Sequence, residues 1–356
     1  MVEKNCGEFD ILGAVDVSSG LIGSERLPAV DAEVASFTLT TRALPLHMLV
    51  TLLAPTPTQS LYFATRTQAR TDRILLVHST KSHLLHESRH CTSIMKIADR
   101  TFIISGGASG LGLATARDLH SHGAYVSLLD LNSDAGSELV SELGSRAKFF
   151  EVDVTDTDAI ATAIKGTVAW IKETGKPIGG VVAGAGVGFP GLIIDKKNEP
   201  LPLSSIDFVL NVNLRGTLDL IRQALPHMTT TQPDGPDGER GVIIMVASSA
   251  AFDGQMGQVS YAASKGAVAS LTLPLARDLS KYGIRAVTIA PALFESNMTK
   301  MLSSKVRQSL ENAMEFPKRA GQPQEFARTV RDSIENGMLN GTVIRLDGAM
   351  RMPARL

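Results

Sequence analysis

An apolar run that ends at a glycine-rich turn and restarts as an amphipathic helix leaves a chain few folds to choose from. Thr101–Ser105 is such a run, Ser105-Gly106-Gly107-Ala108-Ser109-Gly110-Leu111-Gly112 the turn, and Leu111–His122 the helix. Gly106 lets the chain turn tightly, Gly110 lets backbone approach an anionic group, and Gly112 lets the helix lie close on a sheet. A helix opening there offers N–H groups and the positive end of its dipole to a pyrophosphate. Glycines alone only mark turns; their place between strand and helix is what points to a dinucleotide.

The alternation continues. Tyr125–Leu129 reads as a second strand, Ala147–Val152 a third, Val181–Val182 the start of a fourth, Val242–Val246 a fifth, Ala286–Ile289 a sixth and Thr342–Leu346 a seventh. Asp156–Lys172, Ser205–Met228 and Val259–Tyr282 carry helical periodicity between them. The expected class is α/β, a doubly wound, parallel, seven-stranded Rossmann-type sheet formed as a single domain by residues 95–356. Residues 1–94 differ: Pro, Ser and Thr are scattered, five of the eight histidines lie there, and no strand–helix alternation is sustained. They are expected to be an irregular extension, disordered or translated ahead of a start at Met95. Between Glu33 and Asp72 the stretch lacks acidic residues and holds Arg42, Arg66 and Arg70, as in a mitochondrial presequence begun at Met48; the acidic opening Glu3, Glu8, Asp10 and Asp16 argues against import.

Composition narrows the function classes. Net charge is −1 without like-charged runs, and residues 95–356 balance 27 basic against 27 acidic side chains, so no nucleic-acid partner is expected. The longest apolar stretch near the N-terminus, Ala43–Pro55, is too short to span a bilayer, and no membrane partner is expected. Cys6 and Cys91 fall outside the α/β region, so no disulfide framework or thiolate metal site is expected within it.

Asp130 ends the second strand, 24 residues after Gly106. A carboxylate there accepts both ribose hydroxyls of NAD and repels a 2′-phosphate; no Arg follows closely, so NAD is the expected cofactor. Asn132 and Ser133 are nearer the next helix and free Asp130 from capping it. Asp153-Val154 stands where adenine would lie, though Asp153 reads equally as a turn residue. Tyr261 and Lys265, spaced i, i+4, share a helix face. A phenol titrates near pH 10 and is a poor base at neutrality; a neighbouring ammonium and a cationic nicotinamide ring favour its phenolate. Ser248, thirteen residues upstream at a strand end, is placed to donate to a substrate oxygen, and the offset selects it over Ser249. Asn213 falls in the helix beneath, its amide suited to hold a water linking Lys265 to solvent; a packing role is the alternative.

Together the glycine loop, Asp130, the Asn213 segment, Ser248 and Tyr261-Ala-Ala-Ser-Lys265 resemble the short-chain dehydrogenase/reductase family over residues 97 to about 352. Longer stretches, such as Ala251-Phe-Asp-Gly-Gln-Met-Gly-Gln258 and Leu339-Asn-Gly-Thr-Val-Ile-Arg-Leu-Asp-Gly-Ala-Met350, resemble members that oxidise 3-hydroxyacyl-CoA. The resemblance implies a homotetramer acting on acyl-CoA or another secondary alcohol, hydroxysteroids included; a scaffold subunit of an RNA-processing complex is the alternative of another class. It implies a tetrad of Ser248, Tyr261, Lys265 and Asn213. Cofactor contacts would come from Gly106, Ser109, Gly110, Leu111, Gly112, Asp130, Asp153, Val154, Ala185, Gly186, Tyr261, Lys265, Pro291, Phe294 and Ser296. Gln255 would face substrate beside Ser248 and Tyr261. Two departures stand out: Ala183-Gly184-Ala185-Gly186 replaces the usual Asn-Asn-Ala-Gly, and Pro291-Ala292 the usual Pro-Gly. Lys196-Lys197, in a longer segment Phe189–Ile206, reads either as a contact for coenzyme A phosphates or as a solvated loop tip. The C-terminal Ala354-Arg355-Leu356 resembles a peroxisomal address, so a peroxisomal home is expected, with mitochondrion or cytoplasm as alternatives.

Overall fold

All seven apolar runs pair into one parallel sheet, as their spacing predicts. In the computed structural model the strands are β1 (Thr101–Ser105), β2 (Tyr125–Asp130), β3 (Ala147–Glu151), β4 (Ile178–Ala183), β5 (Gly241–Val246), β6 (Ile284–Pro291) and β7 (Thr342–Leu346). Their spatial order is β7-β6-β5-β4-β1-β2-β3. The structure describes residues 97–300 and 302–354, together with Glu8–Asp10, Arg26–Pro28, Ser36–Thr40, His47–Leu52, Leu61–Arg66 and Leu75–Ser79. Arg42 and Arg70 of the presequence-like stretch, both cysteines, and Arg355-Leu356 lie outside the described residues.

The chain divides into two compact units, Met1–Thr92 and Ser93–Leu356. In the first, Ser36–Thr40, His47–Leu52, Leu61–Arg66 and Leu75–Ser79 form an antiparallel four-stranded sheet, and Glu8–Asp10 pairs with Arg26–Pro28.

In the second unit, helices α1 (Gly110–Ser121), α2 (Ser133–Leu143) and α9 (Pro323–Glu335) cover one face of the sheet, and α3 (Thr157–Thr174), α5 (Thr217–Met228) and α6 (Val259–Leu279) the other. Short helices α4 (Leu203–Leu210), α7 (Asn297–Lys300) and α8 (Ser304–Asn312) complete the set. Strand residues alternate between the two layers: Ile103 packs with α3 and α5, while Phe102 and Ile104 pack with α1 and α9. Asn132 caps α2 by accepting the Ala135 N–H at 3.0 Å, which leaves Asp130 out of that cap. No helix among the described residues is long and apolar enough to cross a membrane.

Three elements differ from their sequence expectations, each for a local reason. β4 begins at Ile178 because Gly179 and Gly180 are strand residues. A Cβ on Gly179 would lie 2.7 Å from the Phe102 ring, and one on Gly180 2.4 Å from the Val242 carbonyl. β6 begins at Ile284 and carries Arg285, a buried charge that interrupts the apolar run. Its guanidinium pairs with Glu239 at 2.7 Å and donates to the carbonyls of Ser333 and Ile334 at the end of α9 and of Leu339 in the loop that follows. The Ser205–Met228 helix is broken by a π-helical segment, Asn211–Gly216.

β1 lies between β2 and β4, so the chain's winding reverses there and a crevice opens at the carboxyl ends of β1 and β4. Gly112 makes it possible: a Cβ there would stand 2.1 Å from the Gly106 carbonyl oxygen. Gly112→Ala is expected to lower stability by about 1–3 kcal/mol. Gly337→Ala, with nothing within 4 Å of the added methyl, is expected to be neutral or slightly stabilising. Urea unfolding of the two variants checks this, and equal destabilisation would contradict it.

Candidate active site

The crevice is walled by backbone at its dinucleotide end. Gly106 adopts φ 67° and Gly110 φ 51°, both in the left-handed region that favours glycine. A Cβ on Gly106 would approach Ala185 Cα to 3.0 Å, which places the glycine turn against the Ala185-Gly186 loop after β4. One on Gly110 would be 3.6 Å from Ser296 Cβ, so the turn also faces the segment after β6. Ser109 opens α1 without a side-chain capping bond, and the first turn of α1 holds no acidic residue, unlike α2 with Asp134 or α3 with Asp158. The N-terminal N–H groups of α1, Leu111 among its first residues, therefore meet no carboxylate from their own helix.

Asp130 is half-buried at the end of β2. Its Oδ2 accepts the Ala108 N–H at 2.9 Å and its Oδ1 the Asn132 N–H at 3.1 Å, so it shapes the glycine turn while keeping lone pairs for hydroxyl donors. Asp153 Oδ1 accepts both the N–H and the hydroxyl of Thr155 at 2.8 Å, which is the turn role that its position also allowed. Val154 packs where Gly216 leaves room: a Cβ on Gly216 would reach 2.7 Å from the Val154 carbonyl.

The chemical end is assembled from β5 and α6. Ser248, 8% exposed, caps the turn Ser249–Ala251 by accepting the Ala250 N–H at 3.2 Å. It is Ser248, not its neighbour, that hydrogen-bonds Tyr261; the Ser249 hydroxyl is buried without a partner. Burial pushes the Tyr261 phenol up, and the hydrogen bond from Ser248 pulls the other way. The expected lowering of the phenol thus has to overcome desolvation. Lys265, on the same face of α6, is 5% exposed and donates from Nζ to the Val246 carbonyl at 2.8 Å. Its ammonium stands 5.9 Å from the Tyr261 ring centroid. Burial pulls Lys265 down to about 8, which leaves it charged at neutral pH.

Asn213 is fully buried in the π-helical segment, with its amide committed. Oδ1 accepts the Val187 N–H at 2.8 Å, and Nδ2 donates to the Val187 carbonyl at 2.9 Å and to Ser264 Oγ at 3.1 Å. Both amide hydrogens are used, so this side chain braces the loop after β4, the packing role its position also allowed, while Oδ1 keeps a second lone pair. Gly186 sits at the junction: a Cβ there would lie 3.2 Å from both Asn213 Oδ1 and Lys265 Nζ.

Two further residues of the expected set have their side chains fixed by the protein itself. The Phe294 ring is a core group, 5% exposed and edge-on to Phe326 at 6.3 Å between centroids, so any cofactor contact there falls to backbone. Gln255 is 8% exposed and donates from Nε2 to the Pro353 carbonyl at 2.9 Å. One N–H of its amide thereby holds the C-terminal segment. Ser296 keeps its place at the crevice, its N–H donating to Thr299 Oγ1 at 2.9 Å. Pro291 ends β6 beside it.

The family profile described as short chain dehydrogenase matches residues 100–307. The chain belongs to that family. The 3-hydroxyacyl-CoA dehydrogenase type-2 of Drosophila melanogaster is 44% identical over 259 residues, 72% of this chain and 99% of that one. The human protein of the same name is 44% identical over 251 residues, 70% of this chain and 94% of its own length. A crystal structure of 3-hydroxyacyl-CoA dehydrogenase type-2 from Mycobacterium avium matches with TM-score 0.67 and 35% identity, covering 72% of this chain and 96% of that one. A 3-ketoacyl-(acyl-carrier-protein) reductase from Brucella melitensis complexed with NADH shares the fold at TM-score 0.62 and 24% identity.

For a short-chain dehydrogenase, the site also rests on residues that sequence reasoning missed. Ser105 Oγ accepts the Ala185 N–H at 3.2 Å, tying β1 to the loop that follows Ala183. Ala183 itself is 2% exposed within β4 and packs as an ordinary apolar strand residue. The Ala292 N–H donates to the Leu346 carbonyl at 3.1 Å, so the alanine after Pro291 is held by the neighbouring strand β7. Thr299 organises the Ser296 turn and donates to the Phe294 carbonyl at 2.6 Å. Hydroxyl-to-backbone bonds of this kind leave no spacing pattern by which a sequence could announce them. Among the described residues no group of three His, Cys, Asp or Glu side chains is arranged to hold a metal.

Lys265 makes the site costly to fold. Its pKa falls from 10.5 to about 8 on folding, so the unfolded chain binds the extra proton between those values and native stability rises with pH across that window. At pH 7 both states are protonated and the full desolvation cost of about 3 kcal/mol is present. Lys265→Met is expected to raise stability at pH 7 by about 2 kcal/mol, after loss of the hydrogen bond to Val246. That advantage shrinks as pH rises from 8 towards 10.5. Thermal melts of both proteins across pH 7–10 check the sign, and a destabilised variant at pH 7 would contradict it.

Proposed function

We propose that this short-chain dehydrogenase oxidises the 3-hydroxyl of a 3-hydroxyacyl-CoA to the 3-oxo thioester with NAD, the reverse reduction being available. The observation that carries the reading is the convergence of Ser248, Tyr261 and Lys265 on one crevice whose other end is a bare glycine cradle. Relatives 44% identical over nearly their whole length bear that activity in their name.

The residues fit the cofactor. Side chains on Gly106 and Gly112 would fill the ground beside the α1 N-terminus, and Asp130 retains lone pairs where ribose hydroxyls would arrive. Gly106, Ser109, Gly110 and Leu111 would hold the pyrophosphate, Asp130 the adenosine ribose, and Asp153-Val154 the adenine. Ala185, Gly186 and Ser296 would border the nicotinamide, which supplies hydride acceptance when bound. Tyr261 Oη takes the hydroxyl proton of the substrate, and Ser248 Oγ donates to the same oxygen and orients it. The Lys265 ammonium, charged below about pH 8, offsets the desolvation that opposes the Tyr261 phenolate. Asn213 acts through others, as a positioning residue that holds Val187 and Ser264 around Lys265.

Lys196 and Lys197 are exposed on a turn closed by the bridge between Ile194 and Pro200, a placement that supports a reach towards the phosphates of coenzyme A. A homotetramer is supported by apolar side chains left exposed on α4, α5 and α6, among them Phe208, Leu218, Val259 and Leu273. The C-terminal Ala354-Arg355-Leu356 supports a peroxisomal home.

Purified protein is expected to reduce NAD with 3-hydroxybutyryl-CoA. Tyr261→Phe is expected to lower kcat by at least about a hundredfold while NAD affinity and melting temperature stay close to wild type. If no hydroxyacyl-CoA is turned over while a hydroxysteroid is, the family chemistry stands and the acyl-CoA assignment falls. Wild-type rates in Tyr261→Phe would remove the phenol from the mechanism.

A further inference from the structure

The last described residues of the chain are tied to the segment that joins Ser248 to Tyr261. That segment, residues 252–258, runs from the Ser249–Ala251 turn to the start of α6. Gln255 Nε2 donates to the Pro353 carbonyl at 2.9 Å, and the Met256 N–H to the Ala354 carbonyl at 3.2 Å. At the segment's start Asp253 pairs with Arg345 of β7, whose guanidinium lies 5.1 Å from the Phe252 ring centroid. Arg345 also binds Asp347 at 2.7 Å and the Met350 carbonyl at 3.2 Å, and Arg351 reaches Asp347 at 3.4 Å. Gly348 and Ala349 both hold positive φ, 56° and 60°, where the chain turns after β7. Near the segment's end, the Gly257 carbonyl accepts the Gly191 N–H at 2.8 Å, so the loop that carries Lys196-Lys197 is tied to it in turn.

Apolar burial does not hold this segment. Phe252 is 49% exposed and Met256 59%, so its position depends on these polar ties. The reacting groups are anchored independently: Ser248 by Ala250 and Lys265 by Val246. Residues 252–258 join Ser248 to Tyr261 in the chain, so their position bears on the space beside the two side chains where a substrate alcohol would sit.

We infer that residues 347–354 form a strap that sets the substrate cleft by holding residues 252–258, with Arg345 and Gln255 as positioning residues, and that it governs substrate affinity rather than the chemical step. The inference rests on the dehydrogenase reading above. A chain ending at Met352 lacks both carbonyl acceptors. In it the KM for 3-hydroxybutyryl-CoA, or for whichever secondary alcohol the full chain oxidises, is expected to rise about tenfold, with kcat and NAD affinity unchanged. Backbone amide exchange at Met256 is expected to quicken by at least about tenfold, a readout that needs no substrate. An unchanged exchange rate at Met256 would overturn the strap, and a fall in kcat at constant KM would overturn its role. If the full chain oxidises nothing, the dehydrogenase reading fails while the exchange result still decides whether the strap exists. Gln255→Met, which keeps chain length and fold, is expected to raise KM by a smaller factor in the full chain and to add nothing in the shortened one. Equal effects in both backgrounds would place Gln255 against the substrate and refute its action through Pro353.

Discussion

The approach of α1 to the sheet, set by the contact between Gly112 and the Gly106 carbonyl, is the constraint on which the crevice depends. Any side chain at Gly112 would collide with the turn at 2.1 Å and push the helix outward. With the helix close, its N-terminus opens at the carboxyl ends of β1 and β4, where the winding of the sheet reverses. The loop after β4 then comes within contact of Gly106, and Ser105 fastens the two through Ala185. Proximity of backbone to backbone, achieved by leaving side chains out, makes room for a flat, charged cofactor.

The other end of the crevice is built by the opposite means, with polar side chains driven into the interior. Lys265, Asn213 and Ser264 are all buried, and each is satisfied by backbone or by another member of the set. Satisfaction of donors is not the same as electrostatic comfort. Lys265 keeps a carbonyl partner and no carboxylate, so its charge remains uncompensated and directed at Tyr261. Arg285 shows the alternative: equally buried, it is neutralised by Glu239 and caps the carbonyls that end α9. One buried cation has its charge cancelled and serves the fold; the other keeps its charge and serves chemistry.

Much of this was legible in the sequence where physics imposes a period. The seven strands and their parallel pairing follow from alternating apolar runs and helical crossovers, and Asp130, Ser248, Tyr261 and Lys265 stand at the strand ends and helix face their spacing implied. What sequence reading missed has no period. The fourth strand reads from Val181 and not from Ile178 because glycine's absence of bulk looks the same in a loop and under the Phe102 ring. Asn213 allows a water or a packing role in sequence, and its packing partner, the Val187 backbone, carries no side-chain signal. The bond from Gln255 to the Pro353 carbonyl spans 98 residues and leaves no pattern in the sequence. The Phe294 ring turned inward for a similar reason: Gly321, whose smallness admits it, is distant in sequence.

The bond from Lys265 to the Val246 carbonyl also has a mechanical meaning. Val246 is the last residue of β5, and Ser248 follows two residues later. The ammonium and the serine hydroxyl therefore share one mount, although they belong to different elements. When the sheet twists or shifts under thermal motion, the two are carried together, and the distance that matters between them is insulated from the movement. A site fastened this way tolerates a restless scaffold, because its accuracy is set by a single strand end rather than by the stiffness of the whole.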